Sequence, residues 1–547
     1  VESQTLGLSR KAIVERLSKL GAEVEYEDGS TIFATVKRDE VKAVARLLYE
    51  LGAYFMTCAG SDETQLRGYL ALYHIFGFDE LGLRVVLRVD VPRLHPSVPS
   101  IVAEVPAADW CELEARDMLG IDLVGRPARR LVLPDDWPEG VYPLRKDFRY
   151  DTRPPPRRLP QFEVGEEVGL PLGPYHPALH EPEYFEIYGR GEVVEDIVYR
   201  GFHVHRGIEK LAESERMTYE DVFYLAERIC GICGFVHSSC YAQAIERAAG
   251  IEIPERAEYL RSLLLEVERL HSHLLWLGVV AHLLGYDAGF MHAWRIREKV
   301  MVAAEILTGS RKTYGINTIG GVRFDVDRDR LAKALSNLGT VKEDFTKFLK
   351  ILLSVPQIKL RASGTGVLSR SEARALSVVG PVARASGLYR DIRKDYPYLA
   401  YREVSFKVPL YTEGDNLARV LVRVEEVLES IEIIKQLVDK LPGGPTKEKP
   451  REIPPLRRAV AAIEAPRGED VHFIITGIRR PYRWRVRAPT YQNIPALRAM
   501  LRGAPLADAP LTIASIDPCF SCTDRVILCD RSSGRCRRVD LRRIAGG

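Results

Sequence analysis

Apolar positions in the first 148 residues switch period repeatedly. Helical spacing over Lys11–Leu20 gives way to an apolar strand at Thr31–Val36, a helix over Val41–Leu51 and a strand-like run at Leu83–Val91. This alternation predicts a small N-terminal α/β domain over residues 1–148. The run RPPPRRLP at 153–160 can continue neither a helix nor a central strand, so residues 149–164 read as a stiff linker. Beyond it the pattern turns helical. Glu255, after Pro254, opens a helix to about Leu284 with Leu260, Leu263, Leu264, Val267, Leu270, Leu274 and Leu277 on its apolar face. A second long helix is expected over Asp329–Leu353, and a third from the N-cap Asp415 to the Pro442-Gly443-Gly444 stop. The expected class is α+β, with the small N-terminal domain leading into a large, mainly helical bundle. Leu441–Pro455, rich in Lys, Pro and Gly, reads as an exposed loop, and no internal repeat is visible.

Composition narrows the class. At 547 residues, 46% hydrophobic and 28% charged, the chain can bury a deep core and is not disordered throughout. No apolar run reaches the ~18 residues of a membrane span; Leu274–Leu284 comes nearest and contains His282. No signal-peptide pattern stands at the start, which is Val1. A net charge of +3 is too weak to argue for nucleic acid. The last 22 residues, Val526–Gly547, hold six Arg against Asp530 and Asp540 and stand apart from the rest.

Nine cysteines are too few for a disulfide scaffold in so long a chain. Four form two Cys-x-x-Cys pairs, Cys230/Cys233 and Cys519/Cys522, while Cys58, Cys111, Cys240, Cys529 and Cys536 are isolated. The first pair ends a helical pattern over Tyr219–Ile229; the second follows a strand-like Leu511–Ile516 and Asp517-Pro518. Cys233 and Cys519 stand 286 positions apart, so only tertiary structure can join them. Four thiolates around a metal, a structural zinc, a thioredoxin-like redox pair and unrelated core cysteines all remain open on spacing alone.

The flanking residues discriminate. Glu227-Arg228-Ile229-Cys230-Gly231-Ile232-Cys233 with His237, and Asp517-Pro518-Cys519-Phe520-Ser521-Cys522-Thr523-Asp524-Arg525, resemble the two nickel-ligand motifs of NiFe-hydrogenase large subunits. Arg206-Gly207-Ile208-Glu209, Glu464-Ala465-Pro466-Arg467-Gly468 and Arg487-Ala488-Pro489-Thr490 extend the resemblance over residues 165–525. Trp110 to Ile121 and Leu133 to Asp147 look like the complex I 30-kDa subunit, and Gly173-Pro174-Tyr175-His176-Pro177 like the opening of its 49-kDa subunit. The fusion resembles the large subunit of membrane-bound, energy-converting hydrogenases of the formate hydrogenlyase type.

That resemblance implies a site. Cys230 and Cys519 become terminal nickel ligands, and Cys233 and Cys522 bridge nickel to an iron carrying carbon monoxide and cyanide. Arg467, Pro489 and Thr490 face those small ligands, Cys519 and Glu181 handle the proton, and His176 and His180 are candidate relays. His237 and Asp517 stand behind the ligands. Related hydrogenases use the Glu at the position of Glu209, with a His at that of Arg525, to hold a magnesium ion. Arg525 departs from that pattern and leaves a Glu209–Arg525 ion pair as an equal reading.

No iron–sulfur spacing occurs on this chain, so the resemblance implies a small iron–sulfur subunit, a ferredoxin-like iron–sulfur subunit and membrane subunits as partners. It also implies a place on the inner, cytoplasmic face of the membrane. Clipping after Arg525 by a maturation endopeptidase would remove residues 526–547. Two other classes compete: a complex I-like quinone oxidoreductase subunit and a structural connecting subunit with a four-cysteine zinc. Quinone-reducing relatives lack the four cysteines and typically have Gly where Glu181 stands, which favours the hydrogenase.

Overall fold

In the computed structural model of this chain, the N-terminal alternation becomes one five-stranded sheet with helices against it. The structure describes residues 8–149, 151–152, 154–157, 170–173, 181, 183–202, 205–449, 452–522, 528–530 and 535–537, with backbone alone at Glu27, Cys522 and the last two segments. Helix α1 (Arg10–Lys19) precedes strands β1 (Glu23–Asp28) and β2 (Thr31–Thr35) and helix α2 (Val41–Glu50). Strands β3 (Tyr54–Glu63), β4 (Tyr69–Phe78) and β5 (Leu83–Pro92) lead to helix α3 (Asp109–Leu119). The order is β1-β2-β5-β4-β3, with β2 and β5 parallel and the other pairs antiparallel. Each expected element in this stretch is present, with ends within two residues.

Strands β2 to β5 of the sheet are buried on both faces. Leu70, Leu72 and Phe76 of β4 share a core with Ile13, Leu17, Val44 and Leu48 of α1 and α2. Ala71, Tyr73 and Ile75, on the opposite face, join the core of the later helices, and the Tyr73 ring lies 4.8 Å from that of Phe473. A strand covered on both sides needs apolar residues at nearly every position, which accounts for the Leu83–Val91 run.

The remainder mixes strands and long helices. Strands β6 (Leu170–Leu172), β7 (Tyr184–Arg190) and β8 (Val193–Arg200) make a small sheet. Helices α4 (Ile208–Ala212), α5 (Tyr219–Glu227) and α6 (Gly234–Ala249) follow, then the long α7 (Glu255–Leu283), α8 (Asp287–Thr308), α9 (Arg328–Ser354) and α10 (Asn416–Asp439). Helix α7 packs on α8 and α10, and α8 on α9. Asp415 caps α10 as expected, its carboxylate accepting Ala418 N–H at 2.7 Å. Strands β9 (Arg458–Ala465), β10 (Gly468–Thr476) and β11 (Pro481–Arg487) form an antiparallel sheet against α6. Helices α11 (Pro489–Asn493) and α12 (Ala509–Ser515) lead to the second cysteine pair.

Several expectations change. Leu511–Ile516 lies mostly in helix α12, not a strand: Pro510 suits a helix's first turn, and Trp276 of α7 donates to Ala514 O at 2.7 Å. A short apolar run does not tell helix from strand. Helix α8 escaped the sequence reading. The Leu441–Pro455 loop is clipped to Gly320–Val322, with Val322 N–H on Thr446 O at 2.9 Å and Glu448 N–H on Gly320 O at 2.8 Å. Linker residues 154–157 carry no regular structure; Arg157 N–H bonds Asp136 O at 2.7 Å. Among the described residues no helix is long and apolar enough to cross a membrane.

Strand β3 is a sheet edge, and β11 closes it with side chains. Arg483, Arg485 and Arg487 alternate along β11 and send Nε to Gly60 O (2.7 Å), Cys58 O (3.2 Å) and Met56 O (2.8 Å). Tyr482 adds a bond to Asp62 O at 2.6 Å, and Phe55 N–H finds Ser377 Oγ at 3.2 Å. Edge groups that would otherwise stay unpaired in a buried junction are thereby satisfied. Arg487 also binds both the carboxylate and the carbonyl of Glu469. Arg487→Met therefore strands Met56 O and leaves Glu469 short of a partner, at a cost of about 3–5 kcal/mol. Thermal unfolding and limited proteolysis of the N-terminal sheet should both register the loss; an unchanged midpoint would show that these bonds do not hold the junction.

Candidate metal centre

The first cysteine pair lies in the turn between α5 and α6. Cys233 is the N-cap of α6, and the helix start fixes its place in the turn. Ile232 and Cys233 N–H groups point to Cys230 Sγ at 3.4 and 3.2 Å. Gly234 permits the turn, because a Cβ there would meet the Tyr314 ring at 2.2 Å. The second pair arrives from α12 through Asp517, whose φ is 55°. Cys519 N–H is held by Thr490 Oγ1 at 3.1 Å, and Cys519 Sγ lies 2.9 Å from Cys230 Sγ. Cys230, Cys233 and Cys519 are all buried, whereas the Cys522 side chain lies outside the described residues. Without a metal, Cys230 and burial together push the Cys233 thiol well up. Loading a metal onto these sulfurs therefore displaces protons.

Arg467 joins the two halves. Its place in a Pro-Arg-Gly turn reads equally as a surface residue, and it does sit at the two-residue β9–β10 hairpin tip. The hairpin is buried, however, and Arg467 is only 2% exposed. Its Nη1 donates to Cys233 Sγ at 3.1 Å and to Ser272 Oγ at 3.2 Å. Nε and Nη2 reach Asp517 O and Oδ1 at 2.6 and 2.7 Å. Asp517 thus holds the arginine that touches the first cysteine pair. A fixed positive charge against converging buried sulfurs suits an anionic thiolate–metal cluster. Pro489 starts α11 and so delivers Thr490.

Two carboxyl groups flank the sulfurs. Glu181 accepts Ser521 N–H, and Ser521 Oγ is 3.3 Å from Cys519 Sγ. Burial, and then Cys230, push the Glu181 carboxyl up. Glu268 of α7 takes Phe235 and Val236 N–H at 2.9 and 3.0 Å, and burial pushes it up to about 8. His176 and His180 lie outside the described residues.

His237 sits behind the cysteines in a buried cluster with Asp470 and His472. Its Nδ1 is 3.0 Å from Asp470 Oδ2, which His472 Nε2 approaches at 3.2 Å. Three such groups could hold a metal by type. The Trp484 indole decides otherwise: its N–H can only donate, and it reaches His472 Nδ1 at 3.3 Å. His472 Nε2 then carries the hydrogen and gives it to Asp470. The cluster is a hydrogen-bond network, in which the two histidines hold Asp470 below the usual carboxylate range.

Glu209 faces arginines. Its Oε2 binds Arg483 Nη1 at 2.8 Å, and its Oε1 receives Arg485 Nη1 at 3.3 Å and Val486 N–H at 3.0 Å. These donors have no lone pairs to offer a metal, so the surroundings do not fit the magnesium implied by resemblance. Arg525, the other partner weighed for Glu209, lies outside the described residues. Ser272, Ser521, Glu268, Asp470 and His472 were not singled out from sequence. Part of a signal existed, because Asp470 and His472 alternate onto one face of β10, three and five residues after Arg467.

Comparison with known proteins finds relatives over most of the chain. Residues 206–287 match the nickel-dependent hydrogenase family. Residues 34–154 match the 30 Kd subunit of respiratory-chain NADH dehydrogenase, and 284–460 and 452–525 its 49 Kd subunit. Formate hydrogenlyase subunit 5 of Escherichia coli (strain K12) is 45% identical, over 92% of this chain and 91% of that protein. Hydrogenase-4 component G of the same organism is 41% identical, over 95% and 93%. A chain of the membrane-bound sulfane sulfur reductase, an archaeal respiratory membrane complex, superposes with a TM-score of 0.63 at 33% identity, covering 66% of this chain and all of that one.

Glu268 makes stability depend on pH. The folded chain keeps its proton to about pH 8, whereas an ordinary carboxyl loses it near 4.5. Folding binds a proton between those values, so this group's contribution is full below the lower one and falls as pH rises through the upper. Glu268→Gln removes the titration, and the difference changes by up to about 1.4 kcal/mol per pH unit. Thermal unfolding of both proteins between about pH 5 and 8 should show the flatter profile in the variant; parallel profiles would contradict it.

Proposed function

The chain belongs to the family of nickel-dependent, complex I-related hydrogenase subunits that includes formate hydrogenlyase subunit 5 and hydrogenase-4 component G, and from that membership we propose that it is the catalytic large subunit of a membrane-associated NiFe-hydrogenase. It is a hydrogenase, and membership supports a nickel–iron centre. The observation that carries the finer reading is the burial of Cys230, Cys233 and Cys519 around one point, with Arg467 bonded to Cys233. Cys230, Cys233, Cys519 and Cys522 would hold the centre, Cys230 and Cys519 in the terminal roles and Cys233 and Cys522 in the shared ones. When bound, the centre supplies the two-electron chemistry that interconverts H2 with protons and electrons.

The chain's own groups do the rest. Arg467 sets positive charge beside the bridging thiolate and, with Pro489 and Thr490, lines the place for iron's carbon monoxide and cyanide. Asp517 fixes Arg467, and the His237 network backs the first cysteine turn. Cys519 Sγ gives its proton to Glu181 Oε2, with Ser521 next to both. Burial raises the Glu181 carboxyl above its ordinary value, which suits a group that takes up a proton and releases it again.

Electrons leave through a small iron–sulfur subunit seated around the two Cys-x-x-Cys motifs, where Gly231 is exposed, since the remaining cysteines of this sequence have no iron–sulfur spacing. A ferredoxin-like subunit and membrane subunits complete the assembly on the cytoplasmic face. Residues 1–148 form the 30-kDa-like domain, 149–164 the linker and 165–525 the catalytic domain. Residues 526–547 form a peptide removed after Arg525.

Infrared spectroscopy of the complex purified anaerobically tests the centre. Carbon monoxide and cyanide bands are expected, in a subunit whose mass ends at Arg525, and Cys233→Ala should lose both bands and H2 turnover. A correctly clipped subunit without bands would overturn the reading. Glu181→Gln should keep the bands yet slow H2/D2 exchange by about 10²–10⁴-fold, with Glu181→Asp recovering part of it. Undiminished exchange would remove Glu181 from the proton's path.

A further inference from the structure

Beside the metal centre lies a cavity of about 70 Å³, lined by Ser521 and Arg206 on one side and by Glu114, Glu209, Arg485 and Tyr491 on the other. Glu114 belongs to α3, in the N-terminal part of the chain; Glu209 belongs to α4 and its Arg-Gly-Ile-Glu motif. Arg485 Nη1 donates to Oε1 of both carboxylates. Tyr491 hydroxyl occupies Glu114 Oε2 at 2.8 Å, and Arg483 occupies Glu209 Oε2 at 2.8 Å. Every oxygen of the two carboxylates is thus bonded by an N–H or O–H donor.

We infer that the Arg485 guanidinium, with Arg483 beside it, stands where related hydrogenases hold a divalent cation, and that it ties Glu114 of the N-terminal sheet unit to Glu209 of the catalytic body. Charge supports this, for Glu114, Glu209 and Glu213 already face Arg485, Arg483 and Lys146, and a dication added to that balanced set would be uncompensated in a largely buried site. Coordination supports it too. Magnesium needs about six oxygens near 2.1 Å, and here the carboxylate oxygens are spent on nitrogen and hydroxyl donors. Both guanidiniums are fixed from behind, by Arg483 Nε on Gly60 O and Arg485 Nε on Cys58 O. A cation attached to the backbone cannot be chelated or diluted away. It also couples the docking of the N-terminal sheet to β11, whose end carries Pro489 and Thr490 to Cys519.

The hydrogenase reading enters only through the expectation of a divalent cation; the contacts do not involve nickel, and the test below is independent of H2 turnover. The probe is Mn2+, titrated into the whole purified complex and followed by electron paramagnetic resonance and elemental analysis. The parent complex should gain no tight Mn2+ at this chain, and Glu209→Gln should leave its magnesium content unchanged. Arg485→Ala leaves two buried carboxylates facing each other, and should gain about one tightly held Mn2+ per chain that Glu114→Gln in the same background abolishes. Release of about one magnesium per chain by Glu209→Gln would overturn the inference, as would an assembled Arg485→Ala that gains no Mn2+. Should Arg485→Ala fail to assemble, magnesium content of the Glu209→Gln complex alone decides.

Discussion

A guanidinium taken out of water must be matched by hydrogen-bond acceptors or, as Arg84 and Arg423 are, by an aromatic face, and much of this interior is organised by that demand. Arg467 matches it with Asp517, Ser272 and the Cys233 sulfur, and so pins together segments that lie far apart in the chain. Deeper in the bundle, Arg384 pairs with Glu426 at 2.7 Å and Glu464 at 2.9 Å, and Arg393 with Asp391 at 2.7 Å and Glu266 at 3.0 Å. Removing one partner from such a pair strands a buried charge, at about 3–5 kcal/mol. These networks add little net stability over a hydrophobic core, but they punish any other arrangement of the helices. For a site whose sulfurs must meet at one point, that geometric selectivity matters more than the total energy.

The same chemistry joins the N-terminal sheet to the catalytic body. Strands β2 to β5 of the sheet have almost no face left for water, and its β3 edge is closed by arginines of β11. Strand β11 then runs directly into the segment whose Thr490 holds Cys519 N–H. Docking of the N-terminal part and placement of the second cysteine pair are consecutive stretches of one rigid path. This gives a physical reason for two modules that match separate subunits of NADH dehydrogenase to occur here as one chain.

Much of this was legible in the sequence. Three of the four long helices, α7, α9 and α10, followed from periodicity and caps, since Asp415 and Pro254 mark helix starts by local chemistry alone. The four cysteines, Arg467, Asp517 and Glu181 stood out through motif and resemblance. Polar residues on α7 did not. Glu266, Glu268, Arg269, His271 and His273 look like a solvated face in one dimension, yet all are buried against α10 or the cysteine turn. Their partners lie up to hundreds of residues away, and no spacing within α7 reports them. Leu511–Ile516 was misread for a related reason: six residues are too few for period to separate helix from strand.

The sequence by itself therefore determined the candidate ligand set, the order of the motifs and the family, because these depend on residue type and local spacing. Tertiary structure alone decided which charges meet. It gave Glu209 to Arg483 and Arg485 and placed Ser521 between Cys519 and Glu181. Through the Trp484 indole it also turned His472 from a candidate ligand into a donor. The physical reason is that electrostatics and hydrogen bonding act through space at a few ångströms, while a sequence records neighbours only along the chain.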